Sequence, residues 1–197
     1  MKEQTDMKLS QILTQGRVTV SCELFPPKTG AALEKVEDVL RDTAALAPDF
    51  ISVTYGAGGS TSKRTLELAA RLQDIYRVPA LAHLTCVSST RDQVADMVAR
   101  LQTAGIQNIL ALRGDVPQES AFPSPEHYHY ANELIAHIRS LPGGGDLCIG
   151  AACYPEGHVE CPHFYTDLDN LKRKVDAGAD FLTTQMFFDN DVLYRFL

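Results

Sequence analysis

No stretch of the 197 residues approaches the roughly 20 consecutive apolar residues that a membrane-spanning helix requires, so no such helix is expected. The opening MKEQTDMKLSQILTQG lacks the apolar core of a secretory signal, which implies a cytoplasmic chain whose five cysteines stay free thiols. Basic residues are also in deficit. Eighteen Lys and Arg stand against 25 Asp and Glu, and a net charge of −7 leaves no basic face that would release counterions from a nucleic acid. A small anionic ligand needs only local positive charge and is not excluded. There is no fixed-period repeat. The one flexible stretch, LPGGGD from Leu141 to Asp146, is too short for an interdomain linker, so residues 1–197 are expected to form one domain.

What the chain does contain is organised around Gln107 to Pro117, QNILALRGDVP. The run Ile109–Leu112 is short and wholly apolar, as a strand buried on both faces of a parallel sheet should be. It ends in Arg113-Gly114-Asp115, and Pro117 forbids further ladder pairing. Taken alone, the tripeptide reads more readily as an Arg–Asp pair capping a loop.

The same grammar recurs along the chain. Lys8–Gln15 reads as a leading helix closed by Gly16, and Arg17–Leu24 as a β-branched strand stopped by Pro26-Pro27. Alternation places Cys22 on one face of that strand and Ser21 and Glu23 on the other, with Glu23 at the interior rim if the sheet closes. A helix from Gly30 to Leu46 leads to the strand Phe50–Thr54, which runs into Tyr55-Gly56-Ala57-Gly58-Gly59-Ser60. That glycine loop is neither a P-loop nor a dinucleotide fingerprint, and alone it reads as a turn. Thr61 caps a helix to about Tyr76, and Ala80–Thr85 is a strand carrying His83 in an apolar frame, where a satisfied core histidine is the plainer reading. Thr90 caps a helix whose buried face is Val94, Met97, Val98 and Leu101. After the Ile109–Leu112 strand, Ser124-Pro125-Glu126 leads a helix through Tyr130, Leu134, Ile135 and Ile138. Leu147–Cys153 and Phe181–Gln185 are the last two strands, separated by a helix marked by Leu168, Leu171 and Val175.

Strand, polar loop and helix in repeated succession define an α/β fold with a parallel sheet. Glu23, Thr54, His83, Asp115, Tyr154 and Gln185 then fall at strand C-terminal ends, as an active-site rim of a (β/α)8 TIM barrel would place them, although only six of eight βα units are legible. Cys153, His158, Cys161 and His163 are zinc-ligand types, but their spacing fits no standard structural site and no metal is expected. Cys22, Cys86 and Cys148 read as small buried hydrophobes.

From Ser21 to Asp189 the ordered blocks SCELFPPK, ISVTYGAGG, AHLTC, ALRGDVP, CYPEGH, NLKRKVDAGAD and TTQMFFD resemble the methylenetetrahydrofolate reductase family, in a bacterial-type catalytic domain that is C-terminally short. The resemblance implies an FAD-bearing eight-stranded barrel, of which this chain would lack the last two βα units. It implies reduction of 5,10-methylenetetrahydrofolate to 5-methyltetrahydrofolate by NADH or NADPH, a ping-pong hydride transfer in one-carbon metabolism and methionine biosynthesis. Under it, Glu23 matches the general acid, Asp115 the aspartate beside flavin and folate, and Gln185 a folate contact. The flavin contacts fall on Thr54, Tyr55, His83, Arg113, Gly114, Asp115, Tyr130, Ala131, Tyr154, His158, Asp167, Asn170, Arg173 and Lys174. Cys22 and Leu24 replace the aromatics that commonly flank the acid.

The implied chemistry divides two carboxyls between opposite tasks. The one-carbon bridge between N5 and N10 opens when N10 is protonated, and Glu23, among Cys22, Leu24, Phe25 and Pro26, is expected in an apolar setting suited to a proton donor. Asp115 is expected ionised, stabilising the iminium cation. Arg113, Arg173 and Lys174 are expected to face the FAD pyrophosphate, whereas without the resemblance Lys172–Lys174 reads as a solvated helix face. Two other classes stay open: a truncated, non-catalytic barrel fragment that binds a partner chain or self-associates through open edges, and a flavin-free pterin-binding barrel.

Overall fold

The computed structural model describes residues 5, 7–27, 35–55, 62–87, 89–115 and 127–197. Its elements in chain order are α1 (Leu9–Leu13), β1 (Ser21–Leu24), α2 (Val36–Ala45), β2 (Phe50–Val53), α3 (Ser62–Asp74), β3 (Ala80–Thr85) and α4 (Arg91–Thr103). They continue with β4 (Asn108–Leu112), α5 (Ala131–Ser140), β5 (Cys148–Cys153), α6 (Phe164–Asp176), β6 (Phe181–Thr184) and α7 (Asn190–Phe196). The six strands form one parallel sheet in sequential order β1 to β6, curled into a half-barrel with the helices outside it. The Gly56–Ser60 loop, Thr61, Pro117 and Ser124-Pro125-Glu126 lie outside the described residues.

The elements form where apolar spacing and capping agree. In α4 the Thr90 hydroxyl accepts from Gln93 N–H at 3.3 Å while the Gln93 carboxamide accepts from Thr90 N–H at 2.9 Å, a reciprocal capping box. The helix then buries the expected Val94, Met97, Val98 and Leu101. The first strand is shorter than the sequence suggests. Val18 and Val20 are exposed, and only Ser21–Leu24 pairs with β2. The fifth helix-forming run likewise starts later, with Tyr130 as the cap of α5 and not a member of it.

Two cores flank the sheet. Ile51, Val53, Ala82, Leu84, Ile109 and Ala111 point outward and pack on buried helix residues such as Leu72, Leu101 and Ile135. The alternate residues Leu81, Leu110 and Cys148 point inward, with Phe50, Leu112 and Phe181 against them. Gly150 makes room for this inner layer, since a Cβ there would stand 2.3 Å from the Phe181 ring. Helix α1 plugs the bottom. Leu9 joins the inner cluster, its N–H donates to Asn108 Oδ1 at 2.8 Å, and Asn108 Nδ2 donates to the Ala80 carbonyl at 3.3 Å. Cys148 and Cys86 are buried as expected, and Cys22 is partly buried against the outer core.

A second polar tie holds the C-terminal half. Arg139, at the end of α5, donates to the carbonyls of Gly144 at 2.9 Å and Leu147 at 2.7 Å, to the Gly178 carbonyl at 2.6 Å, and to Asp180 Oδ2 at 2.6 Å. Asp180 in turn accepts from Ile149 N–H at 2.7 Å. The outer strands β1 and β6 pair on one side only among the described residues, and near β6 the side chains of Met186, Phe188 and Tyr194 are exposed. No helix among the described residues is long and apolar enough to cross a membrane.

Asn108→Ala should destabilise the fold by about 1–3 kcal/mol, because it strands the Leu9 N–H inside the barrel floor. Urea unfolding checks this, with the denaturant midpoint falling and the slope unchanged.

Candidate active site

Because all six strands run parallel, their C-terminal ends share one rim, and Glu23, Thr54, His83, Asp115, Tyr154 and Gln185 all lie at or near it. The interior-facing parity expected for Glu23 is observed. It pairs in register with Ser52, and the Ser52 hydroxyl donates to Glu23 Oε2 at 3.3 Å. His83 Nε2 lies 3.6 Å from the same oxygen, beyond hydrogen-bond range, and has no hydrogen-bond partner. Burial of this imidazole pushes its pKa down to about 4, so it is neutral at neutral pH.

The apolar setting expected for Glu23 is not what the strand provides. Strand alternation turns Cys22 and Leu24 to the outer core, Phe25 is 75% exposed, and the Glu23 side chain itself is 47% exposed between a hydroxyl and an imidazole. Neighbours in sequence are not neighbours in space on a strand. Thr54 N–H donates to the Leu24 carbonyl at 2.9 Å, tying the tops of β1 and β2, and the Tyr55 hydroxyl meets Ser89 Oγ at 3.3 Å.

A second group gathers above β4 and β5. Arg113 forms a two-pronged pair with Glu160, at 2.6 and 2.7 Å, which raises the guanidinium pKa and holds the Glu160 carboxyl below its ordinary range. Gly114 follows at φ +82°, where a side chain would be strained and a Cβ would press to 3.2 Å on Thr85 Cβ. Asp115 is exposed, and near enough to Tyr154 for its charge to help raise that phenol's pKa, after burial as the main cause. Tyr154 and His158 pack edge to face at 4.7 Å, and Lys174 Nζ stands 5.8 Å from the Tyr154 ring centre. His158 N–H donates to Asp167 Oδ2 at 3.0 Å.

The basic run of α6 divides by helical angle. Lys172 pairs with Asp176 in solvent at 2.6 Å, as the plain reading of a solvated face expects. Arg173 donates to Asn170 Oδ1 at 3.1 Å. Lys174 turns to the sheet and donates to the Ala152 carbonyl at 2.9 Å; burial lowers its pKa against the opposing pull of Asp167. Gln185 N–H donates to the Cys153 carbonyl at 2.8 Å, placing that residue at the top of β6 with an exposed side chain.

Tyr130 is exposed and Ala131 buried at the start of α5, and among the described residues no side-chain hydrogen bond or ion pair joins either to the other site residues. Two residues earlier, Tyr128 is fully buried, with its hydroxyl on His137 Nδ1 and Arg91 4.8 Å over its ring. Ser52, Glu160 and Tyr128 were not singled out in the sequence. Only the polar parity of Ser52 within an otherwise apolar strand offered a signal. Among the described residues no cluster of three His, Cys, Asp or Glu could hold a metal ion.

These features define the C-terminal rim of a (β/α)-barrel-like fold. Solved structures with that fold include a 2,3-dimethylmalate lyase, TM-score 0.64 at 12% identity over 95% of this chain and 66% of that one, and an oxaloacetate acetylhydrolase, TM-score 0.63 at 15% identity over 97% and 66%. The particular family follows from the sequence itself. The chain belongs to the methylenetetrahydrofolate reductase family, whose model matches residues 8–197. It is 37% identical over 195 residues to a 5,10-methylenetetrahydrofolate reductase of Pectobacterium carotovorum, covering 99% of this chain and 62% of that protein. It is 38% identical to the Escherichia coli 5,10-methylenetetrahydrofolate reductase, covering 92% and 59%, and 38% identical to a probable methylenetetrahydrofolate reductase (NADH) of Oryza sativa, covering 96% and 34%. The chain thus spans about three-fifths of the bacterial relatives' length and a third of the plant one's.

The buried His83 carries a pH signature. It protonates at about pH 4 in the folded protein and near 6.5 unfolded, so between those values the unfolded chain holds the extra proton. Its contribution is full above about pH 6.5 and is lost as pH falls toward 4, an amount on the order of 3 kcal/mol. Urea midpoints measured from pH 7 to 4 should fall less steeply for His83→Gln than for the unsubstituted protein, the other acidic groups being common to both.

Proposed function

We propose that this single domain forms the flavin- and folate-binding rim of an FAD-dependent 5,10-methylenetetrahydrofolate reductase using NADH or NADPH in the cytoplasm. The observation that carries the proposal is the common rim. Glu23 stands at one side of it, the cationic and aromatic group of Arg113, Tyr154, His158 and Lys174 at the other, in a chain whose family is established.

The donor set fits FAD. Arg113, Arg173 and Lys174 supply positive charge for a pyrophosphate, the Tyr154 ring offers an aromatic face beside it, and the left-handed turn that Gly114 permits keeps side-chain bulk away from the rim. His83 presents an unpartnered buried nitrogen below it. FAD when bound supplies the hydride relay between nicotinamide and the one-carbon unit. Thr54, Tyr55, Tyr130, Ala131, Asp167 and Asn170 complete the cofactor contacts in this reading, and Gln185 with Asp115 holds the reduced folate. Glu23 gives a proton to N10 of the substrate as the C–N10 bond breaks and its electron pair moves to N10. Asp115, exposed at the rim, offsets the positive charge left on the N5 iminium.

A second reading, self-association or docking of another chain through the edge strands, rests on the exposed Met186, Phe188 and Tyr194 beside β6. Light scattering separates it from the first: a monomer that takes up FAD overturns it.

Glu23→Gln should abolish folate reduction, by roughly 100-fold or more, while leaving reduction of the bound flavin by NAD(P)H intact. Rapid-mixing absorbance of the two half-reactions checks this; full folate turnover in the variant would remove Glu23 from the acid's role.

A further inference from the structure

We propose that Ser52 is the positioning residue for Glu23: by donating to Oε2 it makes that atom the carbonyl oxygen of the protonated acid, so the transferable proton sits on Oε1. The inference rests on the reading of Glu23 as the acid. It adds a residue outside the set that the family resemblance supplies.

The register puts Glu23 and Ser52 side by side on neighbouring parallel strands, both facing the barrel interior. Ser52 is buried, at 7% exposure, and its hydroxyl bonds Glu23 Oε2 at 3.3 Å. Glu23 is half-exposed, and a long flexible side chain with one end in solvent samples several rotamers unless something holds it. A protonated carboxyl has one oxygen that only accepts and one that carries the hydrogen. A donor on Oε2 selects Oε2 as the acceptor.

His83 points the same way. Its Nε2 is buried, unpartnered and 3.6 Å from Oε2, too far to bond it, so the imidazole stands against the Oε2 side of the carboxyl without competing with the serine. Both interior neighbours converge on Oε2, and none of the described residues bonds Oε1. As the substrate C–N10 bond breaks, its electron pair goes to N10, which takes the proton from Oε1. The O–H electrons stay with the carboxylate, and the Ser52 hydroxyl remains on it as a donor. The serine therefore serves the acid before transfer and its conjugate base afterwards.

The test compares Ser52→Ala, Ser52→Thr and Glu23→Gln in the full chain. Ser52→Ala should slow the folate-dependent step by about tenfold or more with KM little changed, and leave flavin reduction by NAD(P)H as it was. Ser52→Thr keeps the hydroxyl on a strand that favours β-branching and should restore the rate to within about threefold. In cofactor-free protein, the Glu23 side-chain carboxyl 13C resonance, assigned by its loss in Glu23→Gln, should move in Ser52→Ala and return in Ser52→Thr. If Glu23→Gln is inactive but Ser52→Ala turns over folate at the full rate, the proposal fails. It also fails if Ser52→Ala slows both half-reactions equally without rescue by Thr. If Glu23→Gln stays active, the acid assignment falls instead, and an unmoved carboxyl resonance in Ser52→Ala then removes the serine's hold as well.

Discussion

Everything at the rim depends on one constraint: in a parallel sheet, successive side chains must face opposite sides, and neighbouring strands keep them in step. The pairing Glu23–Ser52, Ser52–Leu81 and Leu81–Asn108 sets an entire inner layer by register alone. The residues between them, among them Ile51, Val53, Ala80, Ala82 and Ile109, are thereby committed to the helices. A slip of one residue in β1 would exchange Glu23 for Cys22 or Leu24 at the interior and bury a carboxylate in the outer core. The apolar packing outside the sheet and the polar rim inside it are thus one arrangement seen from two sides.

That constraint explains what could be read from the chain without its fold. The strands β3 to β5 and the stripe Val94, Met97, Val98 and Leu101 were legible because local period and burial agree. The face of Glu23 was legible for the same reason. Its surroundings were not, since its real neighbours Ser52 and His83 are supplied by other strands, and Cys22 and Leu24, adjacent in sequence, turn away. Glu160 was invisible as the partner of Arg113 because 47 residues separate them and nothing in a short loop announces which cation it will meet.

Arg139 shows the same limit in a structural role. On the sequence it is one more basic residue near a helix C-terminus, where a favourable dipole interaction would be explanation enough. In the fold it satisfies carbonyls from two separate turns, at Gly144 with Leu147 and at Gly178, and pairs with the aspartate that anchors the start of β5. One guanidinium with a fixed fork of donors does what several shorter side chains would otherwise have to do. The run Lys172–Lys174 makes the complementary point, since three consecutive cations end in three different environments.

Helix α6 carries Asp167, Asn170, Arg173 and Lys174 and yet none of its residues is fully buried, Lys174 being only half-buried. Backbone amides in such a segment exchange with solvent through small openings long before the sheet beneath gives way. Part of the rim is therefore borne by a helix with no fully buried side chain, while Glu23, Ser52 and His83 stand on strands packed from behind. An occupant that grips α6 must spend part of its affinity on quieting that helix, and in return protects it by mass action. Slowed amide exchange confined to Phe164–Asp176 would be the fingerprint of a ligand seated on this side of the barrel.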